Sequence, residues 1–518
     1  MAENPLYRYG QEDDAAYVRK IFDHIAQARQ SQDADAYDNF AALYGYQWSK
    51  WSNVGRYYVN YLVLNRNDDR VRITVNKLKS IMKARASFII GRNPTISIDA
   101  ESPETEDKEA AYIAQRVARA DWEQHNLFGV VLDCWEWVKS CGVSFVETYY
   151  DPAGGKYLGK YNGKPVFEGE VKARVLPKFS VFWDPLATRW EDVQYVVVGT
   201  IIARETLEKQ MPDLDWRRLE GDAWTVAPTQ ISEMIQQLER PELNRLKDMK
   251  DQRGRRRNIF LLRYYERPSY KYPRGRYIVT CGHQVIKSDD LLFGEFPLVP
   301  FWESTVAGSV NGQTPVTEMR PIQELLNKMV SLDYERSNMP DIYAFPADGG
   351  WPKRFGTRSV IVGTYRPGRG EPKFVSAGMP RTDFQIKMRL YEEWLENLGG
   401  VSSISSRATT KHETSGRMGY IINEANRALL SDISYRFRRS VADLIRMRLK
   451  FMSHFYTDER IMSYIKEDDR REIVRFRGKD ISGNWAVSVR FSAIESNPEV
   501  RSQRILQLFQ NPLVVQSL

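Results

Sequence analysis

The stretch that decides the fold is residues 418–455, MGYIINEANRALLSDISYRFRRSVADLIRMRLKFMSHF. Its apolar side chains recur three and four residues apart, as on one face of an α-helix, and the stretch contains no proline. At about 1.5 Å per residue, a single helix over residues 417–456 would be roughly 55 to 60 Å long. Such a length exceeds that of an ordinary globular helix and indicates an extended assembly, not a compact enzyme core.

Basic residues are concentrated in and just before this stretch. Residues 405–450 contain ten Lys or Arg and four Asp or Glu, so they hold +6 of the net charge of +8 of the whole chain. One interpretation is a solvated helix face. The other is a surface passed by nucleic acid, because phosphate contact without base recognition requires only Lys and Arg. Charge alone leaves both interpretations open.

Length and composition set the scale of the protein. At roughly 150 residues per domain, 518 residues correspond to about three domains or one large unit with several lobes. The chain is 42% hydrophobic and 12% aromatic, which is enough apolar side chain for a sizeable core. A net charge of +8, from 75 basic and 67 acidic residues, is a mild bias that does not identify a partner.

Cysteine content and apolar runs bear on the compartment. The three cysteines, an odd number, form no paired framework, which predicts a fold that does not depend on disulfides. The N-terminus is polar and acidic where a signal peptide would be basic and then apolar. The longest apolar stretch, residues 195–203, is less than half of the about 20 residues that cross a bilayer. We therefore expect neither secretion nor a membrane span.

The pattern outside the long helix predicts an α+β protein. Helical spacing dominates residues 1–141, whereas alternating apolar residues and turn signals such as Asn162-Gly163 predict a β-rich lobe over 142–312. Two predicted helices, 313–339 and 381–400, flank a Pro/Gly-rich β segment at 340–380. Residues 401–416 are polar without periodicity and predict a mobile loop.

Motifs of common enzymes are absent from the sequence. It contains no nucleotide-binding glycine loop, no dinucleotide fingerprint and no serine-hydrolase elbow, and its histidines and cysteines lack metal-ligand spacing. The alternative is a metal-dependent nuclease that uses carboxylate pairs such as Asp68-Asp69, Asp289-Asp290 and Asp468-Asp469. Adjacent carboxylates point apart and are more often solvated turns. We therefore expect no catalytic residue, no metal site and no cofactor.

The order of the segments resembles that of tailed-bacteriophage portal proteins, the head-to-tail connectors of these viruses. Three short segments add to the resemblance: Arg92-Asn93-Pro94 before a strand, the strand at 143–150 followed by Asp151-Pro152, and QELLN at 323–327. By this resemblance, residues 1–312 form the wing, with 313–339 and 381–400 the two stem helices, 340–380 the clip and 401–416 the tunnel loop. Residues 417–456 form the long channel-side helix, and 457–518 would be the wing return and could begin a crown.

The resemblance also implies a function without catalysis. It implies a homo-oligomeric ring, usually of twelve subunits, at one vertex of the capsid, assembled in the host cytoplasm and retained in the virion. The ring would nucleate the shell with the major capsid and scaffolding proteins, dock the terminase, hold tail adaptor proteins and pass double-stranded DNA during packaging and ejection.

Candidate residues follow from these placements. We expect four residues to face DNA in the channel, namely Arg407, Lys411, His412 and Arg417. We expect the clip to dock its partners through Trp351, Lys353, Arg354, Phe355, Arg358, Tyr365, Arg366 and Arg369. The apolar stripe of the long helix is expected to lie partly against neighbouring subunits, through Ile421, Leu429, Phe437 and Leu444.

Overall fold

A computed structural model of the chain describes residues 14–52, 57–60, 71–91, 93–161, 164–203, 258–282, 284–337, 341–346, 360–365, 382–401, 425–465 and 471–491. These residues divide into two compact units. The first unit comprises Met1–Ala36, Ala86–Thr314 and Arg427–Leu518, and the second comprises Tyr37–Arg85 and Pro315–Asn426.

The elements before the long strands are α1 (Asp14–Ala28), α2 (Gln30–Leu43), β1 (Ser49–Ser52), β2 (Tyr57–Asn60), α3 (Lys77–Ile89), β3 (Pro94–Ala100), α4 (Thr105–Gln124) and α5 (Leu127–Cys141). The β-rich part contains β4 (Val143–Asp151), β5 (Tyr157–Tyr161), β6 (Lys164–Phe167), β7 (Glu170–Pro177), β8 (Val181–Trp183), β9 (Tyr195–Ala203), β10 (Asn258–Glu266), β11 (Arg276–Cys281), β12 (Gln284–Asp289), β13 (Leu298–Trp302), β14 (Ser304–Thr305) and β15 (Gly312–Gln313). The remaining elements are α6 (Val316–Ser337), β16 (Asp341–Pro346), β17 (Val360–Tyr365), α7 (Thr382–Gly399), α8 (Ser431–Phe455), β18 (Arg460–Ile465), β19 (Arg471–Phe476) and β20 (Trp485–Phe491).

The core of the first unit lies on both faces of an antiparallel five-stranded sheet, in the order β12-β11-β10-β9-β8. Successive residues of a strand point to opposite faces. Accordingly, Tyr195 and Val197 of β9 pack in the cluster that contains α1, whereas Val196 and Val198 pack in the cluster with β4 and β13. The sheet β13-β4-β7 extends this second cluster, since Phe145 and Leu298 belong to it.

A second strand pairing joins distant parts of the first unit. β20 pairs antiparallel with β3 over their whole lengths, from Trp485 opposite Ala100 to Phe491 opposite Pro94. Apolar and polar residues alternate along β20, which is the pattern of a strand with one buried face. Its partner, almost 400 residues earlier in the chain, is set by the tertiary fold.

The prediction of one continuous helix over residues 417–456 is wrong in its described part. A turn at Leu430, with φ −100° and ψ 7°, separates helical residues 425–429 from α8, which has 25 residues and is therefore about 37 Å long. The hydroxyl of Ser431 donates to the carbonyl of Ala428 at 2.8 Å and so competes with the regular helical pattern. Apolar spacing does not report such a break, because Leu430 at the turn and Ile433 after it are both buried and are three residues apart, as on one face of a helix.

The second unit is built on α6 and α7. Leu395 near the end of α7 packs in one apolar cluster with Val316 and Met319 at the start of α6, together with Leu78 and Ile81 of α3. The two helices agree with the predicted segments 313–339 and 381–400. Between them, β16 pairs with β17 in parallel, and residues 347–359 and 366–380 of the predicted β segment lie outside the described residues.

Candidate subunit and nucleic-acid interfaces

Most of the predicted contact residues lie outside the described residues. This holds for the predicted channel residues Arg407, Lys411, His412 and Arg417, for Ile421, and for the predicted clip residues except Tyr365, which ends β17. The described residues of the long helix include the predicted subunit contacts Leu429, Phe437 and Leu444.

The described basic residues of α8 are close to carboxylates. Of its six Lys and Arg side chains, five lie within 4 Å of an Asp or Glu oxygen. Lys450 contacts Glu295 at 3.0 Å, Arg436 contacts Asp432 at 3.2 Å and Arg439 contacts Asp443 at 3.5 Å. The sixth, Arg438, donates to the backbone carbonyl of Ser434. The partners are four carboxylates, of which Asp432 and Asp443 lie on α8 and Glu295 and Asp121 lie on other parts of the chain.

Arg448 forms a buried ion pair in the first unit. Its Nε and Nη2 atoms each donate to a carboxylate oxygen of Asp121 on α4 at 2.6 Å, and Nη2 also donates to the carbonyl of Val171 at 3.0 Å. Burial opposes the ionisation of Asp121, but Arg448 outweighs it and lowers the pKa of this carboxyl below its ordinary value. The ion pair of Arg448 and Asp121 holds α8 against α4 and β7. Because Arg448 is only 1% exposed, it is not accessible to DNA.

His125 extends this ion pair towards the surface. Its Nδ1 atom lies 2.7 Å from Asp121, and its Nε2 atom lies 2.9 Å from Glu170. Burial opposes protonation, yet the contacts with Asp121 and Glu170 outweigh burial and Arg448, and they raise the pKa of His125 above its ordinary value. The result is a connected group of alternating charges between α4, β7 and α8.

A second buried carboxylate, Glu147 of β4, was not predicted from the sequence. It accepts hydrogen bonds from Arg174 at 2.6 Å, from Tyr265 at 3.1 Å and from Arg263. Burial disfavours its charge, but Arg263 and Arg174 outweigh burial and lower its pKa to about 2. A charged residue at an inward position of an otherwise apolar strand is the signal that could have found it. The cluster joins the five-stranded sheet to the sheet β13-β4-β7, and its role is structural.

The predicted subunit contact is wrong for two residues of the α8 stripe. Phe437 and Leu444 are both 0% exposed within the single chain, so no neighbouring subunit can contact them without rearrangement. The ring of Phe437 packs edge-on against Trp135 at 5.7 Å and Phe301 at 5.2 Å between ring centroids. Leu429, before the turn at Leu430, is 68% exposed and remains available for a contact. The helical pattern marks a buried face but does not say what buries it.

A row of polar side chains on α6 holds an extended segment of the second unit. Gln323, Asn327, Ser331 and Glu335, at four-residue spacing, accept hydrogen bonds from the backbone N–H groups of Lys77, Val75, Ile73 and Val71 at 2.8 to 3.1 Å. Four helical residues rise about 6.0 Å, and two extended residues span about 6.6 Å, so the two repeats match. The four-residue spacing of Gln323, Asn327 and Ser331 is visible in the sequence, but it does not identify the backbone segment that these side chains bind.

Beside this row lies an open groove of about 470 Å³, lined mainly by apolar surface. Along α6, Leu332 is 51% exposed and borders it. Trp48 and Val71 contribute further apolar lining, and Lys50 and Lys328 contribute cationic groups.

The outer side of α7 carries exposed apolar residues at four-residue spacing. Ile386 is 63%, Leu390 38% and Trp394 43% exposed, whereas Leu395 on the inner side is completely buried. Residues four apart lie on one face of a helix, so these three form a continuous apolar stripe.

A tight contact fixes the end of this helix. A side chain at Gly399 would approach the side chain of Ile81 to an impossible 2.3 Å, and Arg85 donates to the carbonyl of Gly399 at 2.6 Å.

Neither a metal site nor a membrane span is present among the described residues. Where side chains are described, no group of three or more His, Cys, Asp or Glu could hold a metal ion. Asp289 and Asp290, the described carboxylate pair, contact Lys287 and Arg274 respectively. The three cysteines are buried free thiols, and burial raises the pKa of Cys134 to about 12. None of the described helices is both long and apolar enough to cross a bilayer.

Comparison with known proteins gives one family match. The model of the family described as phage P22-like portal protein matches residues 19–510. No curated protein sequence matches the chain. Two solved structures of the Epstein-Barr portal are similar at 12% sequence identity, each with a TM-score of 0.16. The match with structure I covers 83% of this chain and 96% of the portal chain. The match with structure II covers 84% of this chain and 98% of the portal chain.

Proposed function

Because the chain belongs to the family of phage P22-like portal proteins, we propose that twelve copies form its ring, with segment 401–416 facing the DNA that passes through. As a member of this family, the protein is a structural component of the virion, not an enzyme. It acts as the head–tail connector and genome-packaging channel of a phage capsid, and the family forms oligomeric rings.

One observation carries the assignment of segment 401–416. Five of the six described Lys and Arg side chains of α8 lie near carboxylates of the same chain, which reduces the positive potential that α8 presents to DNA. Of the four basic residues of 405–430, Arg407 and Lys411 lie with His412 in segment 401–416, and Arg417 directly follows it. Twelve copies of Arg407 and Lys411 alone would place about 24 cationic groups around the DNA, enough for contact without base recognition.

The two-helix arrangement supports the proposed stem and clip. α6 and α7 share one apolar cluster, and the segment between them, 340–380, holds the parallel pair β16 and β17. We assign the helices to the stem and this segment to the clip. The aromatic and basic residues at 351–369 suit the clip to docking the terminase and tail adaptor proteins.

Replacing Arg407 and Lys411 together by alanine tests the proposal. The double variant is expected to form rings of wild-type mass, measured by native mass spectrometry, because no described packing depends on these residues. Packaging or retention of DNA is expected to change by several-fold, measured as the nuclease-protected DNA per capsid.

The control removes the same charge elsewhere. Arg274→Ala with Lys287→Ala replaces two exposed cations of the first unit, and this variant is expected to package as the wild type does. Equal packaging and retention in both double variants would show that segment 401–416 is only a connector.

A further inference from the structure

The hairpin of β5 and β6 exposes apolar side chains on both of its faces. Tyr157 lies opposite Phe167 on one face, and their rings pack edge-on at 5.6 Å between centroids. Val166, the next residue along β6, points to the opposite face and is exposed. Leu158, 66% exposed, is the extra residue where the strand register shifts. A two-stranded hairpin is marginally stable in water by itself, so these side chains mark a surface that another molecule can cover.

The base of the hairpin is held in place by the rest of the first unit. The backbone N–H of Glu168 donates to the carbonyl of Lys156 at 2.9 Å, and Arg460 of β18 contacts the Glu168 carboxylate at 2.6 Å. Gly169 has a φ of +74°, and a side chain there would collide with the ring of Tyr150. Because the base is fixed, a partner that binds the hairpin does not have to order it first.

The charge of the hairpin has one sign. Residues 156–167, KYLGKYNGKPVF, contain three lysines and neither Asp nor Glu. Lys156 and Lys160 are exposed, and neither forms an ion pair with a described residue. The hairpin therefore presents uncompensated positive charge beside its exposed apolar side chains.

The carboxylates that flank the hairpin in the sequence are already paired. Asp151, before the hairpin, contacts Lys172 at 2.7 Å, and Glu168, after it, contacts Arg460. Both of these cations lie outside residues 156–167, so the flanking carboxylates compensate other charges. The lysines of the hairpin are left to pair with carboxylates of a partner.

The combination of lysines and apolar side chains favours a protein partner over DNA. Double-stranded DNA presents phosphates, which would engage the lysines but leave Leu158 and Val166 uncovered. A protein segment that carries both carboxylates and apolar side chains complements both features. Opposite charges at the rim of such an apolar contact set its register and disfavour other partners.

We propose that this hairpin is the docking site for an acidic segment of another protein of the phage, with apolar side chains among its carboxylates. Tyr157 and Leu158 provide the apolar contact, and Lys156 and Lys160 pair with the carboxylates of the bound segment. The site lies in the first unit and does not involve the proposed channel segment 401–416.

Overlapping peptides test this proposal. Fluorescein-labelled peptides of about 15 residues, covering the other structural and assembly proteins of the same phage, are titrated with the full chain and followed by fluorescence anisotropy. A short DNA duplex and peptides of this chain itself are measured alongside. The peptides that bind should be acidic and contain apolar residues. Their affinity should fall as NaCl is raised from about 0.1 M to about 0.5 M, because salt screens exposed charges.

Leu158→Ser tests the apolar part of the contact. The dissociation constant of the bound peptide should rise at least about tenfold, because a central apolar anchor carries much of the binding energy of an interface. The variant should unfold at the wild-type temperature, since Leu158 is exposed. Leu186→Ser, which removes a 79% exposed apolar residue elsewhere in the first unit, is the matched control and should bind as the wild type does.

Lys156→Ala combined with Lys160→Ala tests the charged part. This double variant should bind the peptide more weakly at low salt, and its affinity should depend less on NaCl than that of the wild type. Arg274→Ala with Lys287→Ala removes the same charge elsewhere in the first unit and should leave both the affinity and its salt dependence unchanged.

Three results would overturn the docking site. The first is that no bound peptide is weakened by the hairpin variants, and the second is that the peptides bound there are not acidic. The third is that the hairpin variants weaken binding only of the duplex, which would make the hairpin a DNA contact, or only of peptides from this chain, which would make it a subunit contact. The assay reads binding to a single chain, so its result is independent of whether segment 401–416 contacts DNA.

Discussion

α8 and α7 are both amphipathic helices, yet they complete their packing in different ways. In α8, twelve residues are buried within the chain, including Phe437 and even Arg448, which has a carboxylate partner. In α7, Leu395 is buried, while Ile386, Leu390 and Trp394 remain exposed. The apolar face of α8 is covered by residues of the same chain. In α7, by contrast, one apolar face stays exposed and can be covered by a partner. An amphipathic pattern therefore indicates burial but does not say whether the partner is the same chain.

The sharpest test of this contrast is removal of the buried cation. Arg448→Ala should leave Asp121 as an unpaired buried carboxylate and create a cavity, costing about 3–5 kcal/mol of folding free energy. Thermal unfolding followed by circular dichroism should show a clearly lower midpoint. Lys450→Ala, which removes a partly exposed partner of Glu295, should cost less than about 1 kcal/mol. Similar midpoints for the two variants would contradict the buried role of Arg448.

A smaller loss of folding stability is expected from a substitution of Phe437, which packs against the rest of the first unit. Phe437→Leu should lose the edge-on contacts with Trp135 and Phe301, each worth about 0.5–1.5 kcal/mol, and so destabilise the folded chain. Leu429→Ala, at an exposed position, should change folding stability by less than about 0.5 kcal/mol. Unfolding of the unassembled chains would separate the two variants. If Phe437→Leu altered assembly without altering unfolding, Phe437 would belong to a subunit contact after all.

The smallest predicted effect concerns pH. Because the folded pKa of His125 is raised, its stabilising contribution is complete below the ordinary histidine value of about 6.5 and is lost as pH rises through the folded value. The groups that face it are Asp121, Glu170 and Arg448. His125→Gln should therefore lower the unfolding midpoint by a few degrees near pH 6 and by less near pH 9.

The exposed His454, which contacts aromatic rings and not carboxylates, provides the control for this measurement. His454→Gln controls for the loss of an imidazole outside the ion pairs of Asp121 and Glu170. A pH-independent difference for His125→Gln would show that the ion pairs of His125 do not stabilise the fold.

The spacing of apolar residues along the chain predicts helices and strands well, because each has its own period of buried side chains. Helical spacing correctly predicts α1, α6 and α7, and alternation correctly predicts β20. The turn at Leu430 escapes such reasoning because the buried residues Asn426, Leu430 and Ile433 keep helical spacing across it. The polar row on α6 escapes it for a different reason, since its partners are backbone groups of a segment about 250 residues earlier.

The sequence by itself determined the α+β class, the paired helices around residues 340–380 and, through the order of these segments, the portal family. It did so because helix and strand periods are local properties of the chain. Only the tertiary structure decided which charges and which apolar faces are already satisfied. Asp121 and Arg448 are separated by 327 residues, and their pairing turns one of the positive charges of α8 into a buried contact. The physical reason is that burial and pairing depend on distances in space, which residue spacing along one element does not contain.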